Sequence, residues 1–322
     1  MTVSRDRQPG SPAVDVSAVI ARLEAQVSLV LRGKPEAVRL AVVSLLSGGH
    51  VLIEDVPGVG KTTLAQALAR SLGLGFQRIQ FTSDLLPSDV LGVSIYRQES
   101  ERFEYVPGPI FSNVLLADEI NRASPKTQSA LLEAMSEGQV SIDGKRYVLP
   151  KPFFVLATQN PLEYVGTFPL PESQLDRFGM SIELGYPPRN EERELLLSGG
   201  VEQVLADLEP VLSRAELDHM QRCASQVQVA EKLVDYMLGL ADISRTSSEF
   251  TLGVSTRGVQ SWFRATQALA LSEGRQFALP DDVQRLAVPV LSHRVVLRSG
   301  DGALAAARSA IETLIASLPV PV

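Results

Sequence analysis

An α/β architecture is expected, with a parallel β-sheet between helices followed by a second domain built of helices. Three features carry that expectation. Up to about residue 187, short apolar runs alternate with helical or turn-rich stretches; beyond Pro187-Pro188, nearly every segment has apolar residues at helical spacing. A glycine-containing loop ending in Lys-Thr also joins the first apolar run to the helical pattern after it. The chain has 322 residues, which at roughly 100–200 residues per domain fits two domains.

Residues 1–14 are polar and carry Pro9, Gly10, Ser11 and Pro12, the composition of a disordered arm. Residues 16–31 and 35–47 have helical periodicity; Pro35 suits a first helical position, and Gly48-Gly49 stops the second helix. HVLIED (50–55) is a short apolar run ending in turn residues, followed by the helical KTTLAQALARSLG (61–73). Four further runs read as buried strands: FQRIQF (76–81), NVLLAD (113–118), PFFVLATQN (152–160) and MSIELGY (180–186). Helices are then expected at 190–198, 201–212, 214–227, 230–244, 256–272, 280–287 and 303–317. Ser213 and Glu216 have capping-box spacing, and Pro280 precedes two acids that suit a helix start. The domains therefore run 15–187 and 188–322. No period of 20–50 residues recurs, which excludes a solenoid.

Composition narrows the function classes. With 45% hydrophobic and 21% charged residues the chain is globular, not disordered. The formal charge of −7 gives no overall basic field for nucleic acid or an anionic membrane. Cys223, the single cysteine, permits no internal disulfide, and His50, His219 and His293 lack metal-site spacing. No apolar run has the length of a signal peptide core or a membrane span, so a cytoplasmic protein is expected.

Residues 55–62, DVPGVGKT, nearly match the phosphate-binding loop pattern G-x-x-x-x-G-K-[ST], between an expected strand and an expected helix. Gly58 and Gly60 let backbone amides turn toward β- and γ-phosphates, Lys61 adds a point charge, and the helix N-terminus favours the anion. Thr62 offers a hydroxyl to Mg²⁺. Asp55 stands where the general pattern has its first glycine, and Asp tolerates turn geometry better than most residues. The competing reading is a glycine turn before a helix, which leaves the Lys-Thr pair unexplained. NVLLADEI (113–120) delivers Asp118 and Glu119 to the carboxyl edge of the sheet, where ligands bind in open α/β folds. Asp118 would hold Mg²⁺ through water and Glu119 would polarise the attacking water. The competing reading is a strand that merely ends in solvated acids.

In combination, EDVPGVGKTTLA (54–65), DEINRASPKTQSALLEAMSEGQV (118–140), ATQNP (157–161), GTFPLPESQLDRF (166–178) and GVSTRG (253–258) resemble the MoxR family of AAA+ ATPases. The resemblance runs from about Val30 into the C-terminal region. It implies an AAA+ core with a five-stranded parallel sheet, a helical lid domain, and a nucleotide loop of Asp55, Val56, Pro57, Gly58, Val59, Gly60, Lys61, Thr62 and Thr63. It implies that residues around Val30–Gly33 touch adenine and that Asn160 is the sensor-1 residue placing the attacking water; otherwise Asn160 is a strand-end turn residue before Pro161. Arg177 matches the arginine finger that reaches a neighbouring subunit's nucleotide, the alternative being a surface pair with Asp176. Arg257 matches the sensor-2 arginine, in cis or in trans. A hexameric ring is implied.

The same resemblance covers two insertions: 84–112 is similar to the subgroup's helix-2 insert and 139–150 to its pre-sensor-1 hairpin. Asp143-Gly144 is independently a hairpin turn signal. Residues 84–112 hold Asp84, Asp89, Glu99, Glu101 and Glu104 against Arg97 and Arg102, a net charge of −3 that would repel a phosphate backbone. The hairpin's Lys145 and Arg146 against Asp143 give only +1, ordinary solvated-turn chemistry, and neither insertion resembles a basic groove with stacking aromatics. A protein client is therefore expected, together with the partner carrying a von Willebrand factor A domain that family members often have. The family's implied activity is ATP-driven remodelling or activation of protein complexes, cofactor insertion included. Two other readings use the same residues: a DNA or RNA motor, on Lys145 and Arg146, and a nucleotide-gated scaffold, which would have little use for both Glu119 and Arg177.

Overall fold

The computed structural model describes residues 15–160, 166–197, 199–299 and 304–320. The expected disordered arm, 1–14, lies outside them. Helix α1 (Val16–Val30) starts at Asp15, whose carboxylate accepts the Ser17 and Ala18 amides, and α2 (Pro35–Leu46) starts on Pro35. Strand β1 (Val51–Glu54), helix α3 (Lys61–Ser71) and strand β2 (Phe76–Gln80) follow. The first insertion is a short helix α4 (Pro87–Leu91) and a hairpin of β3 (Gly92–Arg97) and β4 (Arg102–Pro107). After β5 (Val114–Asp118) and α5 (Pro125–Glu137), the second hairpin pairs β6 (Gln139–Ile142) with β7 (Lys145–Val148). Asp143 (φ 49°) and Gly144 (φ 75°) both take the left-handed turn conformation the sequence suggests. Strand β8 (Phe154–Gln159), helix α6 (Glu172–Leu175) and strand β9 (Met180–Ile182) complete the α/β part.

Strands β2-β5-β8-β1-β9 form one sheet in that order, with every neighbouring pair parallel. The sheet is the five-stranded one expected, at the expected segments. Its interior strands are apolar on both faces because both are covered. Val51, Ile53, Val114, Leu116, Phe154 and Leu156 join the layer of α1, α2 and α3, while Leu52, Leu115, Ala117, Val155 and Ala157 join the layer of α4 and α5. This is the alternation a period-2 strand requires.

The C-terminal part comprises α7 (Arg189–Leu197), α8 (Glu202–Ala206), α9 (Arg214–Ser225), α10 (Glu231–Thr246), α11 (Thr256–Ser272), α12 (Pro280–Leu291) and α13 (Leu304–Ser317). It also holds a small antiparallel ribbon of β10 (Phe250–Leu252) and β11 (Val296–Leu297), so the expectation of helices alone needs that correction. Trp262 on α11 is fully buried, its indole N–H donating to the Val283 carbonyl of α12 at 2.8 Å. The expected helix 201–212 is confined to α8: the residues of α8 are at most half-buried, and the chain leaves the helix at Asp207, ahead of Pro210. Helix α12 instead continues past 287 with Pro289 inside it, held by the burial of Leu286, Val290 and Leu291. Helices α1 and α2 pack on α11, and α2 on α9, with Gln221 donating to the Leu45 carbonyl at 2.8 Å. Among the described residues, no helix is long and apolar enough to cross a membrane.

Candidate active site

Parallel strands end together, so β1, β5 and β8 bring their following residues to one edge of the sheet. The loop Asp55–Gly60 links β1 to α3 there. Gly58 (φ 82°) and Gly60 (φ 98°) occupy the left-handed region that strains any residue with a Cβ. No side chain caps α3, so its first-turn amides are open to an anion. Lys61 donates to the Asp55 carbonyl at 2.7 Å; burial lowers its pKa, against the opposing pull of Asp118, Asp55 and Glu119. Thr62 and Thr63 are half-buried on that first turn, Val59 is buried, Val56 packs on the core, and Pro57 is exposed. Asp55 is buried with its carboxylate satisfied inside the protein: Oδ1 accepts the Val56 amide at 2.8 Å, and Oδ2 accepts the Leu184 and Gly185 amides, both at 2.7 Å.

Asp118 ends β5, and Glu119 follows with φ 56°, a conformation that non-glycine residues hold only when their surroundings enforce it. The enforcing group is Thr158 on β8. Its hydroxyl donates to Asp118 Oδ1 at 2.6 Å and accepts the Glu119 amide at 2.8 Å. The outer oxygens of both acids are held from β2. Arg78 pairs with Asp118 Oδ2 at 2.6 Å, and the Gln80 amide donates to Glu119 Oε2 at 2.8 Å, where Arg122 also approaches to 3.3 Å. Asn160, buried, follows the last residue of β8. Beside it the Gln159 Nε2 is buried with no hydrogen-bond partner.

Arg177 and Arg257 are elsewhere. Arg177 shortly precedes Met180, the first residue of β9, at the opposite edge of the sheet. A four-residue strand such as β1 at ~3.3 Å per residue puts that edge more than ~10 Å from the phosphate loop. Arg177 donates to the Leu132 carbonyl at 2.7 Å and to Ser136 Oγ at 3.1 Å, and its Nε is buried without a partner. Asp176 is no partner for it: Arg294 and Ser255 take that carboxylate at 3.0 and 2.9 Å, which removes the surface-pair reading. Arg257, in the first turn of α11, lines the same cavity of about 210 Å³ as Arg177.

Both parts of the chain resemble known proteins. Residues 50–180 match the ATPase family associated with various cellular activities (AAA), and residues 243–313 match the AAA lid domain. The chain is 43% identical over 281 residues to the chaperone MoxR1 of Mycobacterium tuberculosis, covering 84% of this chain and 74% of that protein. It is 32% identical over 324 residues to the protein MoxR of Paracoccus denitrificans, with 92% and 95% covered. The chain belongs to the MoxR family of AAA+ ATPases. Another relative, the uncharacterised protein YeaC of Bacillus subtilis, is 48% identical over 283 residues, 88% of each chain. The crystal structure of an ATPase candidate from Cytophaga hutchinsonii superposes with a TM-score of 0.87 at 36% identity, covering 95% of this chain and 96% of that one.

This MoxR-family site fits a nucleoside triphosphate. The loop offers left-handed glycines, an uncapped helix start and a lysine, and the orphaned Gln159 amide is a donor at the same strand edge. Thr62 and Asp118 are oxygen donors suited to a hard cation. Among the described residues, no group of three or more His, Cys, Asp or Glu could hold a metal ion. Sequence reasoning missed Thr158, Arg78, Gln80 and Gln159. A threonine inside an apolar strand run was the available signal for the first; strand order, which sets the others beside the acids, has no local signature.

Proposed function

We propose that this MoxR-family ATPase is a chaperone-like machine that remodels or activates protein complexes, cofactor insertion included, as a ring of six identical subunits. The observation behind the ring is the separation of cations from anion site. Arg177 and Arg257 share a cavity at the amino edge of the sheet, while the phosphate loop, Asp118, Glu119 and Asn160 gather at the carboxyl edge. A side chain cannot reach across the sheet, so both arginines would serve the nucleotide of the next subunit, and Arg257 as well as Arg177 acts in trans.

Within one site, the amides around Gly58–Gly60 and the Lys61 ammonium bind the phosphates, and Thr62 and Asp118 would hold Mg²⁺. When bound, the cation neutralises charge on the phosphate oxygens. Glu119 accepts a proton from the attacking water, Asn160 orients that water, and the neighbour's Arg177 stabilises the charge developing in transfer. The client is a protein, in keeping with the acidic first insertion and with a relative named as a chaperone. A partner with a von Willebrand factor A domain and a cytoplasmic location complete the proposal, on the family resemblance.

The test combines nucleotide binding with turnover. Lys61→Ala should lose ATP affinity, whereas Glu119→Gln should bind ATP normally and hydrolyse it at least about a hundredfold more slowly, the scale of a lost general base. Wild-type turnover per subunit should rise with protein concentration as rings form. Concentration-independent turnover, or full activity in Glu119→Gln, would overturn the assignment.

A further inference from the structure

One residue of the phosphate loop departs from the general pattern, and it does not face the place a phosphate would occupy. Asp55 directs its carboxylate at the backbone of Leu184 and Gly185, with both amides 2.7 Å from Oδ2. These residues begin the short strap that joins β9, the last strand of the sheet, to α7, the first helix of the helical domain. A second buried side chain closes the same circuit from the other side. Lys34, in the turn between α1 and α2, donates to the Val59 carbonyl of the phosphate loop and to the Gly185 carbonyl of the strap, each at 2.6 Å. It is buried, which lowers its pKa, and both of its hydrogen-bond acceptors are neutral carbonyls. The preceding residue, Gly33 (φ 73°), fits only because it lacks a side chain: a Cβ there would lie 2.5 Å from Pro188 Cδ and 2.9 Å from Glu191 Cγ. The strap is therefore gripped by the phosphate loop and by the α1–α2 turn at once.

We propose that Asp55 and Lys34 are positioning residues that lock the phosphate loop to the strap Leu184–Pro188, so that filling the loop is felt directly by the helical domain. A carboxylate accepting two amides and a buried ammonium bonded to two carbonyls are charge-assisted contacts, stronger than ordinary backbone pairs. The loop cannot change shape without moving Val59, which Lys34 links to the Gly185 carbonyl, or the Asp55 side chain, which accepts the Gly185 amide. A glycine at position 55, as in the general pattern, would leave the Leu184 and Gly185 amides without this acceptor. The departure is thus a device, not a tolerated turn residue. The proposal rests on the nucleotide reading above and adds the path by which the site reaches the helices.

The experiment compares the full-length wild type with Asp55→Gly, which restores the general loop pattern, and Lys34→Met, which keeps the length of the side chain without its charge. Thermal unfolding, affinity for a non-hydrolysable ATP analogue, and hydrogen exchange of the strap amides with and without the analogue are measured on each. The wild type should bind the analogue and slow exchange at Leu184 and Gly185. Asp55→Gly should bind about ten- to a hundredfold more weakly, the equivalent of one or two hydrogen bonds to a charged group, and lose that nucleotide-dependent protection. Should Asp55→Gly fail to fold, Lys34→Met carries the test with the same expectation for protection. Unchanged affinity together with intact protection in a folded variant would overturn the proposal alone. A wild type that did not bind the analogue would overturn the nucleotide reading on which the proposal stands.

Discussion

Thr158 shows how much one buried hydroxyl can organise. It donates to Asp118 and accepts from the Glu119 amide, so one side chain fixes both acids and the left-handed backbone between them. Thr158→Val keeps the shape and removes the hydrogen bonds. Turnover should fall about 10- to 100-fold, the usual cost of losing an outer support of a metal site, with a smaller change in ATP affinity; steady-state kinetics beside nucleotide titration separates the two. His50 gives a second prediction at this scale. Buried, with Nδ1 accepting the Val155 amide and Nε2 3.3 Å from the Met135 carbonyl, it has its pKa pushed down by burial to about 4. The unfolded chain binds that proton near pH 6.5 and the folded one does not. Stability from His50 is therefore complete above pH 6.5 and lost as pH falls toward about 4, by roughly 3 kcal/mol in all. Denaturant unfolding across this range should show a shallower acid loss in His50→Gln than in wild type; identical slopes would contradict the buried neutral imidazole.

Elements were legible where local chemistry specifies them. The capping box at α9 is formed as its spacing suggests: Ser213 Oγ accepts the Glu216 amide at 3.3 Å and Glu216 accepts the Ser213 amide at 2.7 Å. Ser213→Ala should cost about 1 kcal/mol in urea unfolding, with ATP affinity unchanged. The two insertions were harder to read, since a hairpin with exposed apolar residues has no core-facing stripe to mark it. Val93, Ile95, Tyr96 and Phe103 are all exposed on β3 and β4. This hairpin is held at its base, where Tyr105 donates to the Leu91 carbonyl, and it also touches the other: Tyr105 and Tyr147 have ring centroids 4.2 Å apart, and Ser94 donates to Asp143 at 2.5 Å. Thus Asp143, chosen by the sequence for its turn, also joins two insertions separated by β5 and α5.

At the scale of the molecule, the separation of Arg177 from the phosphate loop yields a mixing experiment. Arg177→Ala subunits keep an intact loop, and Lys61→Ala subunits keep an intact arginine. Each alone should be nearly inactive, the first by about 10³–10⁵-fold as for other arginine fingers, yet their mixture should recover turnover through hybrid neighbours. No recovery in mixed assemblies would show that Arg177 does not work in trans. The strands, most helices and the phosphate loop could be read from the chain because apolar period, caps and glycines act over a few residues, and a few residues are what a sequence presents. Which strand lies beside which is not local. Strand β2 sits next to β5 only in the folded sheet, bringing Arg78 and Gln80 to Asp118 and Glu119, and Arg257 meets Arg177 only when α11 packs against the amino edge. Asp55 states the difference most clearly: its loop is marked by its neighbours in sequence, but its carboxylate is spent on amides 129 and 130 residues away, a partner chosen by packing.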